Sequence, residues 1–257
     1  MSRHSLHVTL PALERGLAVF RPHHLELKRR LITIMVAIFG CSAAAYCFIE
    51  KIAAFFIAPL FHASPLVKKL VYTNLPEAFV TYIKLSFFIG LIASYPIILY
   101  QLWVFVAPGL KDSEKKMAGT IVFWGTLLFA GGAAFAFFAV LPRMLIYLMS
   151  YAHPGLEPLP KLGLYLTFIA RSILTFGLSF QIPFLMVMAG KTGLVQSAYF
   201  RKKRTYFYGA ILVLSFLLTA GDFMATALLA IPLFLLYEAG IFLTALFGAK
   251  KLPPDLG

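Results

Sequence analysis

Two glutamates stand out in a chain that has only ten acidic residues. Glu26 lies in His24-Leu25-Glu26-Leu27-Lys28-Arg29-Arg30 and Glu114 in Lys111-Asp112-Ser113-Glu114-Lys115-Lys116, each among basic residues at the edge of a long apolar run. A carboxylate receives the planar fork of a guanidinium through two parallel hydrogen bonds, whereas an ammonium offers only a point charge. Two carboxylates at one membrane face would therefore favour a pair of arginines over lysines. Each glutamate alone reads equally as a helix-flanking charge that balances its neighbours, and exposed pairs of that kind contribute about 0–1 kcal/mol. The residues by themselves support only a grip for a cationic segment.

Other chemistry has little to stand on. His4, His7, His23, His24, His62 and His153 all fall outside the apolar runs, so an intramembrane haem or metal centre would lack ligands from facing helices. No glycine-rich phosphate loop or metal-spaced cluster occurs, which argues against an ATP-driven pump. No nucleophile, acid–base pair or metal set gathers at one depth, so neither an enzyme nor a cofactor is expected. Cys41 and Cys47 read as small packing residues. Inside the runs the polar groups are Arg171, Gln181 and Glu238, with Lys84 near the edge of one run. Such groups are costly in hydrocarbon and usually face a partner or a wet cavity. Lys84 and Arg171 could equally snorkel outward, and Glu238 could reach the interface. Gln181, near mid-span in Phe180-Gln181-Ile182-Pro183, is too short for that. Its amide must bond another helix, of this chain or of a partner.

The elements that position these residues are membrane helices. The chain has 257 residues, 61% hydrophobic and 13% charged, and its apolar runs are too many and too long for one water-soluble core. A hydrocarbon layer of about 30 Å needs roughly 20 apolar residues per helix. Six spans are expected, near Leu31–Ile49, Ile83–Val106, Ala118–Leu141, Leu166–Ala189, Tyr206–Ala220 and Met224–Phe247. The runs are continuous rather than alternating, which disfavours a barrel. The net charge of +13 sits in short clusters between runs, a pattern of topology and anionic-lipid contact rather than of nucleic-acid binding.

Lys and Arg concentrate in the N-terminal tail, the 107–117 and 190–205 loops and the C-terminal tail. The alternate loops hold only Lys51, Lys68, Lys69, Arg143 and Lys161. The positive-inside rule then places both termini in the cytoplasm. The chain divides into a tail over 1–30 with an amphipathic segment, a membrane domain over 31–247 and a short tail over 248–257. No small-residue cleavage site follows the first run, so a cleaved signal peptide is not expected. In the loop from Glu50 to Tyr82 a short interfacial helix over Ala53–Phe61, ended by Pro59 and Pro65, should precede a second short helix capped near Asn74. The 142–165 loop, with Pro142, Pro154, Pro158 and Pro160, reads as an irregular cap. Between Arg204 and Asp222 a helix would extend only about 26 Å, either a short upright hairpin or one that thins the bilayer. No internal repeat supports an inverted-repeat solute transporter.

Several segments resemble the TatC family, the multi-spanning subunit of the twin-arginine (Sec-independent) protein translocase. They are His23-His24-Leu25-Glu26-Leu27-Lys28-Arg29-Arg30-Leu31, Ala58-Pro59-Leu60 and the run from Tyr95-Pro96 through Gln101-Leu102-Trp103-Val104-Phe105 to Pro108-Gly109-Leu110. Weaker matches follow at Phe176–Pro183, Arg201–Arg204 and Leu229–Pro232. The resemblance implies an all-α polytopic protein of six helices in a concave, glove-like arrangement. It also implies recognition of twin-arginine signal peptides on folded precursors, exported with the proton-motive force across the bacterial inner membrane. On that analogy Glu26 and Glu114 hold the arginine pair, with Phe105, Lys28 and Arg29 in the same patch, while Gln181, Pro59 and Asp222 serve partner contact or assembly. The implied partners are TatA- and TatB-like single-helix proteins, further copies of the chain and membrane lipids. Three positions depart from the family pattern. Gln181 replaces a common glutamate and cannot titrate, Lys28 replaces an arginine, and Ala220-Gly221 stands where a proline pair is common.

Overall fold

The computed structural model describes residues 9–63, 67, 69–106, 118–151, 158–191, 195–219 and 223–248, with side chains from Glu26 onward. Glu114, Asp222 and the C-terminal tail lie outside the described residues.

Helix α1 runs unbroken over Thr9–Cys47, far ahead of the expected start at Leu31. From Leu25 to Phe39 the sequence holds no Gly or Pro, so nothing separates the basic turn Lys28-Arg29-Arg30 from the apolar span. Helix α2 follows at once over Ile49–Ala63. The interfacial helix is therefore present but longer than expected, and Pro59 lies within it rather than ending it. Beside the carbonyl that Pro59 leaves without its helical donor, the Tyr165 hydroxyl donates to the Phe56 carbonyl at 3.1 Å.

No separate second helix forms near Asn74. Residues 73–76 make a turn, and helix α3 runs over Glu77–Ala93. Its first residue is clasped from behind: the Thr73 backbone N–H donates to Glu77 Oε2 at 2.8 Å, and the Thr73 hydroxyl at 3.2 Å. Both bonds run from Thr73 to the Glu77 carboxylate and hold the turn before α3 against its first residue. The expected second span is not one straight helix. After α3, helix α4 covers Tyr95–Val106, and the pair bends by 52°. Pro96 has no N–H for the Ile92 carbonyl, and buried Ser94 turns its Oγ back to the Leu91 carbonyl at 3.2 Å.

The third span also outruns expectation. Helix α5 (Ala118–Phe135) passes through a widened turn at Ala136–Val140 into α6 (Leu141–Met149). In that turn the Leu141 N–H reaches the Ala136 carbonyl, five residues back. Pro142 would press on the carbonyl four residues earlier in a regular helix, and the wider turn relieves it. Helices α7 (Leu162–Ser179) and α8 (Gln181–Lys191) form the fourth span, broken at Phe180 where Pro183 removes a donor. A short α9 (Ser197–Lys202) precedes α10 (Arg204–Leu218) and α11 (Phe223–Phe247).

Among the described residues, four helical stretches are long and apolar enough to cross a membrane, and the bent α3–α4 pair makes a fifth if counted as one span. Arg204–Leu217 is apolar but shorter. Helix α7 sits innermost, with Leu166, Ile169, Ser172 and Phe176 almost wholly buried against Leu60, Leu85, Leu141, Met144 and Leu229. The segment before it is tied down by Val71, whose N–H donates to the Pro160 carbonyl at 3.1 Å while its own carbonyl accepts from Leu162 N–H at 2.9 Å.

Candidate cation-binding site where α1 meets α4

Glu26 lies near the middle of α1, and Arg30 follows one helical turn later on the same face. The Arg30 guanidinium donates to Glu26 Oε1 from Nε at 3.2 Å and also from Nη2. Its Nη1 donates to Gln101 Oε1 on α4 at 3.3 Å. Glu26 thus already holds a guanidinium, and that guanidinium joins α1 to α4. The Glu26 side chain keeps 38% of its exposure against 18% for Arg30, so of the two it lies nearer the surface. Phe105, half-buried, lies one turn beyond Gln101 on α4.

Lys28 and Arg29 are exposed; Lys28 points to the opposite side of α1, while Arg29, three residues after Glu26, borders its face. They add positive charge around the site without closing on the carboxylate. The structure links Glu26 through Arg30 to Gln101, midway along α4, and so adds Arg30 and Gln101, which sequence reasoning did not single out. Arg30 was detectable from its i, i+4 spacing to Glu26. Gln101 carried no local signal.

The other candidate residues sit elsewhere. Gln181 is buried, and its Nε2 donates to the Gly125 carbonyl on α5 at 2.9 Å. Its amide therefore bonds a helix of the same chain. Pro59 borders an apolar hollow of about 330 Å³ with Phe55, His62, Phe137 and Pro142. At the ends of α10 and α11 that flank Asp222, the hydroxyls of Thr219 and Thr226 pair at 2.7 Å. Glu238 does not stand alone at the interface: Arg204 and the Tyr208 hydroxyl both donate to it, joining α10 to α11. Among the described residues no three of His, Cys, Asp or Glu are grouped as metal ligands.

Comparison with known proteins bears on what this arrangement serves. A family model described as Sec-independent protein translocase protein (TatC) matches residues 22–232. The Sec-independent protein translocase protein TatC of Desulforapulum autotrophicum is 34% identical over 235 residues, covering 90% of this chain and 86% of that protein. Its namesake in Escherichia coli strain K12 is 33% identical over 228 residues, covering 89% and 88%. A crystal structure of the twin arginine translocase receptor TatC matches with a TM-score of 0.80 at 32% identity, over 87% of this chain and 98% of that one.

Proposed function

The chain belongs to the TatC family of Sec-independent protein translocase proteins, and on that premise we propose that it receives twin-arginine signal peptides on Glu26 and Glu114. Its role is protein transport across a membrane rather than catalysis. The observation that supports the site is the Arg30 guanidinium already seated on Glu26, which also donates to Gln101 on α4. A carboxylate placed to receive one arginine is placed to receive another. Glu114, between α4 and α5 in the sequence, supplies the second carboxylate, and Phe105 provides an apolar wall beside the pair. Lys28 and Arg29 flank the patch and disfavour peptides with extra positive charge near it.

Both termini face the cytoplasm in this reading, so a precursor meets the site before crossing. Single-helix TatA- and TatB-like proteins complete the translocase, and the proton-motive force drives export. Pro59 and Asp222 act in assembly, and Gln181 does so through the α5 helix that its amide holds. Binding of a peptide carrying Arg-Arg, against the same peptide with Gln-Gln, tests the proposal in wild type, Glu26→Ala and Glu114→Ala. Charge-assisted bonds contribute about 1.5–3 kcal/mol each, so each variant should bind the Arg-Arg peptide at least about tenfold more weakly. Equal binding of both peptides by the wild-type protein, or undiminished binding by both variants, would overturn the site.

A further inference from the structure

Lys84 on α3 and Arg171 on α7 converge on one pocket of about 410 Å³, lined also by Ile83, Phe87, Phe88 and Thr167. On α3, Phe87 and Phe88 lie three and four residues after Lys84; on α7, Arg171 lies four after Thr167. Each helix therefore turns one face to the pocket. Gly163 allows the helices to close on each other above it, since a Cβ there would stand 3.0 Å from Thr81 Oγ1. Both cations are exposed. Among the described residues the ion pairs join Arg30 to Glu26 and Arg204 to Glu238, and no described carboxylate pairs with Lys84 or Arg171.

Lys84 and Arg171 lie roughly 10–14 Å along the helix axes from Glu77 and Leu162, at 1.5 Å per residue. A charge beside hydrocarbon is costly without a counter-ion. One snorkelling cation reaches the interface alone, but two cations from two helices over a shared pocket form a chelating pair. Their complement is an anion with several acceptor oxygens and an apolar continuation, because the rest of the lining is aliphatic and aromatic. Pockets of this volume fall in the usual range for small ligands. We propose that this pocket binds the phosphate headgroup of an anionic phospholipid, from the leaflet on the α2 side of the protein. Lys84 and Arg171 hold the phosphate, the Thr167 hydroxyl supplies a further donor, and an acyl chain lies along Phe87 and Phe88.

The test is native mass spectrometry of the full chain released from nanodiscs of mixed phosphatidylglycerol and phosphatidylcholine. The double variant Lys84→Gln/Arg171→Gln is compared with wild type and with Lys51→Gln/Lys202→Gln, which removes the same charge elsewhere. Melting curves in the same nanodiscs check that each protein is folded. The wild type and the control pair should retain at least one phosphatidylglycerol that the Lys84/Arg171 variant loses, with phosphatidylcholine retention unchanged. Equal phosphatidylglycerol retention by the wild type and the Lys84/Arg171 variant would overturn the proposal, as would equal loss in the control. Unchanged lipid together with loss of a co-purifying single-helix protein would assign the cations to a protein carboxylate instead, also overturning it. Lipid retention does not depend on signal-peptide binding, so this result and that of the peptide titration stand apart.

Discussion

In the proposed site Arg30 would share the Glu26 carboxylate with an incoming arginine, because its guanidinium already donates to Glu26 Oε1. Its Nη1 is held separately by Gln101 at 3.3 Å, so Arg30 has somewhere to rest when a peptide guanidinium takes Glu26. Arg30→Gln removes the internal competitor and should raise affinity for an Arg-Arg peptide about threefold to tenfold, read by direct titration. A fall in affinity would show instead that Arg30 orients Glu26. Gln181 illustrates the other residue-scale rule. The Gly125 carbonyl only accepts, as does an ionised carboxylate, so the 2.9 Å bond across to α5 needs the amide's donor. Gln181 makes that bond at every pH, whereas a glutamate there could make it only when protonated.

At the scale of elements, the spans are bent helices packed through small residues. Pro96, Pro142 and Pro183 each fall at or just past a break, the first with a 52° bend and the second with a widened turn. Among the described glycines, an added Cβ would come closest to a neighbour where α1 joins α3. A Cβ on Gly90 would stand 2.0 Å from Ser42 Oγ and 2.6 Å from the Ser42 backbone nitrogen. The Ser42 hydroxyl is committed to the Ile38 carbonyl at 2.7 Å, so both backbone and side chain resist displacement. Small residues permit such approaches between membrane helices. Gly90→Val should destabilise the protein by about 1–3 kcal/mol or more through overpacking, read as a lower melting temperature in detergent. Gly131→Ala, where no atom lies within 4 Å of the added Cβ, should leave the melting temperature unchanged or slightly raised. Equal melting of the two variants would show that α1 and α3 separate without loss.

For the whole molecule, the bilayer is the surrounding solvent and its thickness is a variable. Large apolar side chains such as Phe138, Leu164, Leu185, Leu217 and Phe242 are exposed around the outside, an arrangement fit for hydrocarbon rather than water. Helix α10 has 15 residues, about 22 Å of helix against a hydrocarbon layer of about 30 Å. Its partner α11 has 25 residues, so the mismatch falls on one side of the hairpin. The protein should melt at a higher temperature in nanodiscs of short-chain lipid than in those of long-chain lipid. Equal melting in both would mean that neighbouring helices shelter α10 and the bilayer need not thin.

Composition and the lengths of the apolar runs alone determined the membrane class and roughly where the spans lie, though not their ends, because burial in hydrocarbon demands long apolar runs whatever their neighbours. The glutamate at 26 was legible for a similar reason, being a rare charge at the edge of such a run. The interfacial helix was legible from its apolar stretch, but its length was not, since Pro59 is tolerated inside a helix whose neighbour supplies a nearby hydroxyl. The extension of the third span past Pro142 was hidden likewise, because a widened turn absorbs the proline. Only the tertiary structure decided that Arg30 bridges Glu26 to Gln101, 71 residues further along the chain, that Gln181 serves α5 of its own chain, and that Lys84 and Arg171 share one pocket. Each of these depends on which helices become neighbours, and that is settled by close packing at positions such as Gly90 and Gly163, where shape in three dimensions outweighs any local pattern.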